Sequence, residues 1–259
     1  MAQAVATLLN RPAWVDLASS DAGASRDFYA KLLDWNVEVN PDPQYGGYAI
    51  ANVGDEQAAG IGPTQAPQQP TAWSLYIGTD DIDALAGKVT EAGGTVIAPP
   101  FDVGDQGRMA TFADPSGAVF SAWQAATMRP FRAGATNSFG WAELNARGLE
   151  KAVPFYERLF GWTSSTSEFG EGQSYTQFAV EGQDILGAFE IASDVPAEVP
   201  SSWTVYFNVD DVDAASKKAV GLGAKELVAP ADIPGGGRFA ILADPQGATF
   251  GLMGYQPAS

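Results

Sequence analysis

Apolar and polar residues alternate near the start of the chain and then change to a helical spacing. The segment AWVDLAS, residues 13–19, has the two-residue period of a half-buried β-strand. In SDAGASRDFYAKLLDW, residues 20–35, apolar side chains recur at every third or fourth position, and Ser20 or Asp21 is placed to cap a helix. WNVEV, YAIANV and QAAGI follow as three short apolar segments. The pattern predicts a strand, a helix and three further strands.

The same order of elements is predicted again after the Pro- and Gln-rich stretch GIGPTQAPQQPTAW. WSLYIG is a strand, and DDIDALAGKVTEAG, residues 80–93, is a helix with acidic residues at its N-terminal end, where the helix dipole favours them. TVIAPPF, RMATFA and AVFSAWQ are strands, and the turn sequence DPSG, residues 114–117, joins the last two. Residues 12–124 are therefore expected to contain two βαβββ motifs.

The second half of the chain repeats the first. Aromatic and charged residues recur at an offset of 127 and then of 130: Trp14 with Trp141, Trp35 with Trp162, Tyr48 with Tyr175, Trp73 with Trp203, Arg108 with Arg238, and Asp114 with Asp244. The difference of three residues falls between Gly60 and Trp73, where a surface loop absorbs length at little cost. We therefore expect two modules, residues 12–124 and 139–255, joined by a linker of residues 125–138.

Several repeated segments resemble those of the vicinal oxygen chelate superfamily. They are SRDFYAKLLDW and EKAVPFYERLFGW after the first strand of each module, TDDIDA and VDDVDA at the start of the second helix, and FADPSGAVF and LADPQGATF before the last strand. This superfamily contains glyoxalase I, bleomycin-resistance proteins, fosfomycin-resistance enzymes and extradiol dioxygenases. In layout the chain is similar to tandem glyoxalase-like proteins of actinomycetes, which are labelled hydroxylases or antibiotic-resistance proteins. The resemblance implies an α+β fold in which each module is a pair of βαβββ motifs that form a curved, barrel-like mixed sheet.

The resemblance also identifies the positions at which metal-dependent members of the superfamily carry His, Gln or Glu ligands. In this chain they are Trp14, Ser74 and Ser121 in the first module, and Trp141, Thr204 and Gly251 in the second. Indole and glycine cannot bind a divalent first-row metal, and the chain contains neither Cys nor His. We therefore expect no metal and no other cofactor. An alternative is a site of oxygen ligands that combines Asp16 or Glu143 with hydroxyl groups, which is poor material for Mg²⁺ or Ca²⁺.

Strand alternation predicts which side chains face the concave side of each sheet. If Trp14 faces inward, a period of two places Asp16 on the same face, and the related strands follow the same parity. The predicted ligand-binding residues are Trp14, Asp16, Ser74, Tyr76, Ser121 and Trp123 in the first module, and Trp141, Glu143, Thr204 and Tyr206 in the second. An aromatic face with a few polar groups suits a flat, partly apolar organic molecule. The tryptophans expected in the core are Trp35, Trp73, Trp162 and Trp203.

Two features of this predicted face have alternatives. Trp14 and Trp141 either stack on a ligand or fill the space that a metal would take. The carboxylates of Asp16 and Glu143 are either a general base or an acceptor for the ligand, with a pKa raised by desolvation, or structural groups. In the structural alternative they pair with Arg108 or Arg238 of the two Gly-Arg dipeptides, or with backbone N–H groups at strand ends. Strand alternation leaves the orientation of these arginines open, and a further alternative is that they bind an anionic ligand.

The charge of the chain excludes one class of partner. The sequence carries 31 acidic and 14 basic residues, a formal net charge of −17 at pH 7. Its field repels phosphate backbones and argues against nucleic acid binding. No apolar run reaches the roughly 18 residues that cross a bilayer, and the N-terminal sequence lacks the pattern of a secretory signal. We expect a cytoplasmic protein that does not bind membranes and that is a monomer or a homodimer.

The leading functional hypothesis is a metal-independent protein that binds or sequesters an aromatic natural product or antibiotic. The alternative is a metal-free enzyme, with lyase, isomerase or hydroxylase-like activity on a polyketide or a reactive carbonyl compound. In that reaction Asp16 or Glu143 would remove a proton, and Tyr76 or Tyr206 would donate a hydrogen bond to the developing oxyanion. A third hypothesis is an interaction protein whose clefts are filled. The sequence leaves open the ligand, the reaction and which of the two clefts is functional.

Overall fold

The computed structural model describes residues 9–129, 131–168 and 173–254, and it confirms the predicted order of elements. The first module contains β1 (Pro12–Ser19), α1 (Ala22–Leu33), β2 (Asn36–Val39), β3 (Ala49–Val53), β4 (Glu56–Pro63), β5 (Ala72–Gly78), α2 (Ile82–Glu91), β6 (Thr95–Val103), β7 (Gly107–Ala113) and β8 (Val119–Ala125). The second contains β9 (Phe139–Ala146), α3 (Leu149–Phe160), β10 (Thr163–Glu168), β11 (Ser174–Val180), β12 (Gln183–Glu190), β13 (Ser202–Asn208), α4 (Val212–Gly221), β14 (Lys225–Asp232), β15 (Arg238–Ala243) and β16 (Thr249–Gly254). A short 3-10 helix, Pro43–Tyr45, lies between β2 and β3.

Some residues of the predicted modules and linker lie outside the described part of the chain. They are Pro130 in the linker of residues 125–138, and residues 169–172 and Tyr255 in the second module. The boundaries 12–124 and 139–255 stay a prediction.

Of the four α-helices among the described residues, three begin at an aspartate that caps them. The Asp21 carboxylate accepts a hydrogen bond from the backbone N–H of Ala24 at 3.0 Å, so Asp21 and not Ser20 caps α1. Asp81 and Asp211 cap α2 and α4 in the same way. None of the helices in the described part of the chain has the length and apolar character that crossing a membrane requires.

The strands form two mixed sheets of eight strands. The first has the order β2-β3-β4-β1-β5-β8-β7-β6, and the second has the order β10-β11-β12-β9-β13-β16-β15-β14. Strands β1 and β4 are parallel, as are β5 and β8, whereas the hairpin partners are antiparallel. Each sheet is curved. In neither sheet does the last strand pair with the first, so neither sheet is a closed barrel.

Compact packing divides the chain differently from the sequence repeat. One compact unit comprises the described residues 9–14, 75–129, 142–168 and 173–203, and we call it the inner unit because its two motifs are neighbours in the middle of the sequence. The other comprises residues 15–74, 131–141 and 204–254, and we call it the outer unit because its motifs come first and last in the sequence. Each unit therefore combines one βαβββ motif from each module and has its own core.

The core of the inner unit centres on Tyr156, a fully buried side chain of α3. Its hydroxyl donates to Asp114 Oδ2 at 3.1 Å and accepts from Trp203 Nε1 at 2.9 Å. Asp114 belongs to the DPSG turn, and its other oxygen accepts the backbone N–H of Ala118 at 3.1 Å. Because Tyr156 and Asp114 come from different modules, this network joins the two motifs of the unit. Burial raises the pKa of Tyr156 well above its ordinary value.

The core of the outer unit repeats this network. The buried Tyr29 of α1 donates to Asp244 Oδ2 at 3.1 Å and accepts from Trp73 Nε1 at 2.8 Å. Burial raises the pKa of both Tyr29 and Asp244. The four tryptophans predicted in the core are each at most 7% exposed, which confirms that prediction: Trp35, Trp73, Trp162 and Trp203.

Candidate functional site

A carboxylate and a tyrosine meet on the first motif of the outer unit. Asp16 lies on β1, and its partner on the parallel strand β4 is Gly60. Tyr48, which lies just before β3, donates a hydrogen bond to Asp16 Oδ2 at 3.3 Å. The tyrosine crosses β4 at Gly60, where a Cβ atom would lie 1.8 Å from the tyrosine oxygen. Glycine at this position therefore leaves the room that the contact between Tyr48 and Asp16 needs.

The first motif of the second module, in the inner unit, has the same residue types in the same places. Glu143 on β9 pairs with Gly187 on β12. The Tyr175 oxygen lies 1.7 Å from the place of a Cβ atom at Gly187, and its ring packs on Phe189 with centroids 4.6 Å apart. Asp16 and Glu143 are both half-buried, so solvent reaches each of these residues. The two modules thus each carry a tyrosine that lies over a glycine beside an acidic residue.

The sequence prediction missed these tyrosines and glycines. The signal that identifies them is their repetition, because Tyr48 and Gly60 are separated by twelve residues, as are Tyr175 and Gly187. Strand alternation assigns each side chain to a face. It does not show that a side chain from outside a strand crosses a neighbouring strand, and for that reason the contact was not predicted.

Tyrosine, hydroxyl and indole groups share one face of β5, β7 and β8 in the inner unit. Tyr76 on β5 pairs with Ser121 on β8, and Ser121 Oγ lies 3.1 Å from Thr111 Oγ1 on β7. Trp123 lies on the same face of β8 by alternation, and its ring covers Gly107 at the start of β7. Ser121 and Trp123 are only 2% and 6% exposed. This face therefore combines aromatic surface with a pair of hydroxyl groups.

The corresponding strands of the outer unit lack this hydroxyl pair. Tyr206 on β13 pairs with Gly251 on β16, and a Cβ atom at Gly251 would lie 2.0 Å from Tyr206 Cδ1. The tyrosine ring thus takes the place of a side chain at residue 251. Ile241 and Met253 stand at the positions of the threonine and the tryptophan of the inner unit. This face is apolar where its relative is polar.

The ten predicted site residues are divided between the two units. The inner unit holds Trp14, Tyr76, Ser121, Trp123 and Glu143, and the outer unit holds Asp16, Ser74, Trp141, Thr204 and Tyr206. Within a unit, the structure brings Tyr76 next to Ser121. The repeat-related tryptophans differ, because Trp14 is 3% exposed whereas Trp141 is half-buried. The role of these ten residues in binding stays a prediction.

The indole of Trp123 differs from the core indoles in its hydrogen bonding. Its Nε1 atom is buried and finds no acceptor among residues 9–129, 131–168 and 173–254. By contrast, Trp35 and Trp162 each donate at 2.7 Å to a backbone carbonyl oxygen, of Asn137 and Asn10 respectively. A buried N–H group without an acceptor costs about 1–3 kcal/mol. Trp123 therefore contributes packing without the hydrogen bond that the core tryptophans make.

The positions of the superfamily's metal ligands do not form a metal site in this chain. Trp14 is buried, Ser121 Oγ lies against Thr111 Oγ1, and the Tyr206 ring occupies the place of a side chain at Gly251. In the part of the chain that the structure describes, no three His, Cys, Asp or Glu residues are grouped so that they could hold an ion. These residues do not fit a resident metal ion. Metal independence stays a prediction.

The arginines of the two Gly-Arg dipeptides bind carboxylates of their own sheet and helix. Arg108 contacts Asp83 of α2 and lies 3.0 Å from Asp102 of β6. The hydrogen bond from Arg108 lowers the pKa of Asp83. Arg238 makes the equivalent two ion pairs in the outer unit, at 2.8 and 2.7 Å. The alternative in which these arginines pair with the predicted site carboxylates is therefore wrong.

Comparison with known proteins identifies the class of protein. A family model described as the Glyoxalase/Bleomycin resistance protein/Dioxygenase superfamily matches residues 11–121 and again residues 138–252. The chain belongs to this superfamily and contains two copies of its domain, as the repeated segments predicted.

Curated relatives match nearly the whole chain. The chain is 41% identical over 253 residues to a protein of Mycobacterium bovis named "Putative glyoxylase CFP32", and the match covers 95% of both chains. It is 36% identical over 267 residues to "Anthracycline biosynthesis protein DnrV" of Streptomyces peucetius, with 96% of both chains covered.

Solved structures share the fold at much lower sequence identity. The Mn(II)-bound glyoxalase from Novosphingobium aromaticivorans has a TM-score of 0.66 and 16% identity, over 95% of this chain and 82% of that chain. The 2,3-dioxygenase LapB from Pseudomonas sp. KL28 has a TM-score of 0.66 and 14% identity, over 96% of this chain and 93% of that chain. At such identities the likeness shows the fold alone.

Proposed function

We propose that this protein binds a small aromatic organic molecule, of the fused-ring polyketide class, on its sheet faces and without a resident metal ion. The observation that carries the proposal is the half-buried Asp16, held by Tyr48 over Gly60. The second module repeats the same residue types. A partly desolvated carboxylate that is fixed in position can orient a hydroxyl or amine group of a ligand.

The residues on either side of Asp16 in β1 are buried. Its neighbours Val15 and Leu17 are 0% and 1% exposed, whereas Asp16 is half-buried. Partial burial of a carboxylate carries a desolvation cost that an apolar residue would avoid. Binding a polar group of a ligand accounts for an acidic residue at this position in both modules.

The proposed stacking surface consists of Tyr76 and Trp123, which are 5% and 6% exposed, so a ligand has to open this face to reach them. In the inner unit these two side chains share a face with the hydroxyl pair of Thr111 and Ser121. Aromatic rings suit a flat apolar body, and a few hydroxyl groups suffice to orient its polar substituents. The relative named for anthracycline biosynthesis favours a fused-ring compound as the ligand.

A second candidate function is a metal-free enzyme that acts on a polyketide or a reactive carbonyl compound. The partial exposure of Asp16 and Glu143 favours it, because a general base must reach the proton that it removes. The Mycobacterium bovis relative named as a glyoxylase also favours it. In this candidate the carboxylate accepts the proton, and Tyr76 or Tyr206 stabilises the oxyanion that forms.

Titration of the purified protein with an anthracycline tests the binding proposal. We expect saturable quenching of tryptophan fluorescence and a rise in the melting temperature. The double variant Asp16→Asn, Glu143→Gln removes both charges and keeps the shape of the side chains. It should keep most of the affinity for a neutral fused-ring quinone and lose about tenfold for a ligand with a protonated amine. Asp194→Asn, in an exposed loop, is the matched control and should change neither affinity.

The same double variant separates the binder from the enzyme. If the protein is an enzyme, conversion of a carbonyl substrate followed by NMR should fall by about 10²–10⁴-fold in the double variant. A binder converts no substrate in either form. Absence of quenching and of a thermal shift with anthracycline, quinone and carbonyl compounds alike would contradict both candidates.

A further inference from the structure

A pocket in the inner unit lies apart from the proposed sheet-face site. It has a volume of about 270 Å³ and lies between the residues before β1, the N-terminal part of α2 and the C-terminal end of α3. Its lining includes four apolar side chains and three charged ones: Leu9, Leu85, Leu159, Phe160, Asp80, Asp81 and Lys88. The Asp81 carboxylate already caps α2, where it accepts the backbone N–H of Ala84 at 2.9 Å. The pocket is therefore amphipathic, and Asp80 and Lys88 are its charged groups outside that cap.

Two of the three charged groups of the pocket lack partners. Among the residues that the structure describes, neither Asp80 nor Lys88 has an ion pair or a side-chain hydrogen bond. Both side chains are exposed, so water solvates them in the free protein. An exposed charge without a protein partner is available to a ligand of opposite charge.

The region of the outer unit that corresponds to this pocket in the repeat, which we call the outer corner, provides partners for both of these charged groups. Lys218, which corresponds to the lysine of the pocket, donates to the carbonyl oxygen of Leu32 at 3.2 Å and lies 3.6 Å from Asp34 Oδ1. Asp210, which corresponds to the aspartate of the pocket, accepts a hydrogen bond from Thr136 Oγ1 at 2.7 Å. The outer corner thus supplies a carboxylate to its lysine and a hydroxyl donor to its aspartate.

Two residue differences remove these partners from the inner unit. Gly161 stands at the position of Asp34, and Leu9 stands at the position of Thr136. The lysine of the pocket therefore lacks an anion, and the aspartate lacks a donor. A third difference places Leu85, which is 3% exposed, where the outer unit has a smaller alanine. Compared with the outer unit, the pocket lacks the polar partners of Asp80 and Lys88 and has a larger apolar side chain in its lining.

We propose that this pocket binds an apolar α-amino acid as its zwitterion. The carboxylate of the amino acid pairs with Lys88, as Asp34 pairs with its lysine in the outer unit. The ammonium group donates to Asp80, and the apolar side chain packs on Leu9, the exposed apolar residue of the lining. A monocarboxylate would leave Asp80 without a donor, and a simple amine would leave Lys88 without an anion. This inference does not depend on the proposed sheet-face function.

Three compounds test whether both charges are recognised. L-leucine carries both groups, 4-methylpentanoate lacks the amine, and 3-methylbutylamine lacks the carboxylate. All three are aliphatic, so they offer no aromatic ring to the sheet faces. In a titration of the ¹⁵N-labelled full chain, we expect L-leucine to shift backbone amides of residues 79–88 and 159–161 in a saturable way. Each analogue should bind about three- to tenfold more weakly, because an exposed ion pair contributes modestly.

One variant restores the missing carboxylate within the chain. Gly161→Asp places an acidic side chain where the outer unit has Asp34, and the backbone allows it, since Gly161 has φ of 65° and Asp34 has φ of 52°. No heavy atom lies within 4 Å of a Cβ atom at residue 161. The variant should weaken L-leucine binding at least about threefold, because its carboxylate competes for Lys88. Lys218→Gln, in the outer corner, is the matched control and should leave the affinity unchanged.

Three results would overturn the inference. They are equal affinity for the three compounds, shifts that fall outside the pocket, and unchanged L-leucine affinity in Gly161→Asp. The last result is decisive only for a folded variant, which the dispersion of its amide spectrum shows directly. Lys88→Gln provides a second route, since removing the ammonium group should weaken L-leucine and 4-methylpentanoate but not 3-methylbutylamine.

Discussion

The inner and outer units share one structural network and differ in their candidate binding surfaces. In both, a buried helix tyrosine joins a turn aspartate to a strand tryptophan, with closely similar distances. The faces next to this network differ, because the inner unit has a hydroxyl pair where the outer unit has an isoleucine and a glycine. The groups that join the two motifs of each unit are the same, whereas the groups that could contact a ligand have diverged.

The two units therefore differ as candidate binding surfaces. The inner unit has the hydroxyl groups of Ser121 and Thr111 and an amphipathic pocket. The corresponding groups of the outer unit are either apolar or already hydrogen-bonded within the protein. The shared network should therefore respond equally to mutation in both units, and the divergent positions should not. Mutations at both kinds of position test the comparison.

The largest expected effect comes from removing the central hydroxyl of the shared network. Tyr29→Phe and Tyr156→Phe each leave a buried indole N–H and a carboxylate oxygen without their partner. Each should lower the free energy of unfolding by about 3 kcal/mol, measured by urea denaturation. Tyr45→Phe, at the half-buried end of the 3-10 helix, is the control and should change it little. A large effect in one unit and a small one in the other would show that the networks are not equivalent.

Alkaline pH should weaken both networks together. Burial holds the pKa of Tyr29 and Tyr156 well above 10, while tyrosines of the unfolded chain titrate near 10. Above that pH the folded protein binds more protons than the unfolded chain, so the free energy of unfolding falls as pH rises. The loss is at most about 1.4 kcal/mol per pH unit for each tyrosine.

Urea denaturation between pH 9 and pH 11.5 measures this slope. Tyr29→Phe should halve the part of the slope that the two tyrosines contribute, and Tyr156→Phe should do the same. Below pH 9 both tyrosines are protonated in the folded and unfolded chain, so this contribution to stability is fully present. An unchanged slope in either variant would assign the alkaline loss to other groups.

The next effect concerns a position at which the two units differ. At Gly251 a Cβ atom would lie 2.0 Å from Tyr206 Cδ1 and 2.5 Å from its Cγ, close to the root of the side chain. Gly251→Ser should therefore force the tyrosine out of its position and cost about 2 kcal/mol of unfolding free energy. The reciprocal change Ser121→Gly loses one hydroxyl contact and should cost about 1 kcal/mol. Similar costs for the two variants would contradict the difference in packing between the faces.

Local patterns in the sequence were sufficient to predict the elements and the fold class. Periodicity and the aspartate caps predicted strands and helices within a few residues, as for α2, predicted within residues 80–93 and observed at Ile82–Glu91. The combination of β5–β8 with the second module's first motif in one compact unit was not predicted. Periodicity assigns a side chain to a face, but it does not identify the element that covers that face.

The candidate site was predictable to a similar extent. Alternation on β1 separates the buried Val15 and Leu17 from the half-buried Asp16, but Trp14, which it assigns to the face of Asp16, is buried as well. It could not identify Tyr48, which reaches Asp16 from outside the strands and across a glycine. Alternation could not identify the partners of Arg108 either, because Asp83 lies on α2 and Asp102 on β6, and a period of two within one strand does not show which other elements reach it.

The smallest expected effect separates the tryptophans by their hydrogen bonds. Trp162→Phe and Trp35→Phe each leave a backbone carbonyl oxygen without its indole donor. Trp123→Phe removes an N–H group that has no acceptor among the described residues. The three substitutions remove the same atoms, so the lost packing is comparable. Trp123→Phe should therefore cost about 1 kcal/mol less unfolding free energy than the other two.

Urea denaturation of the three variants at pH 7 checks this order. An equal loss of stability in Trp123→Phe and Trp162→Phe would mean that a bound water or ligand accepts a hydrogen bond from the indole N–H of Trp123 in solution. In that event, titration with an anthracycline provides the discriminating measurement. A ligand that accepts this hydrogen bond should bind the wild-type chain more tightly than Trp123→Phe, whereas a structural water leaves the two affinities equal apart from the smaller ring area.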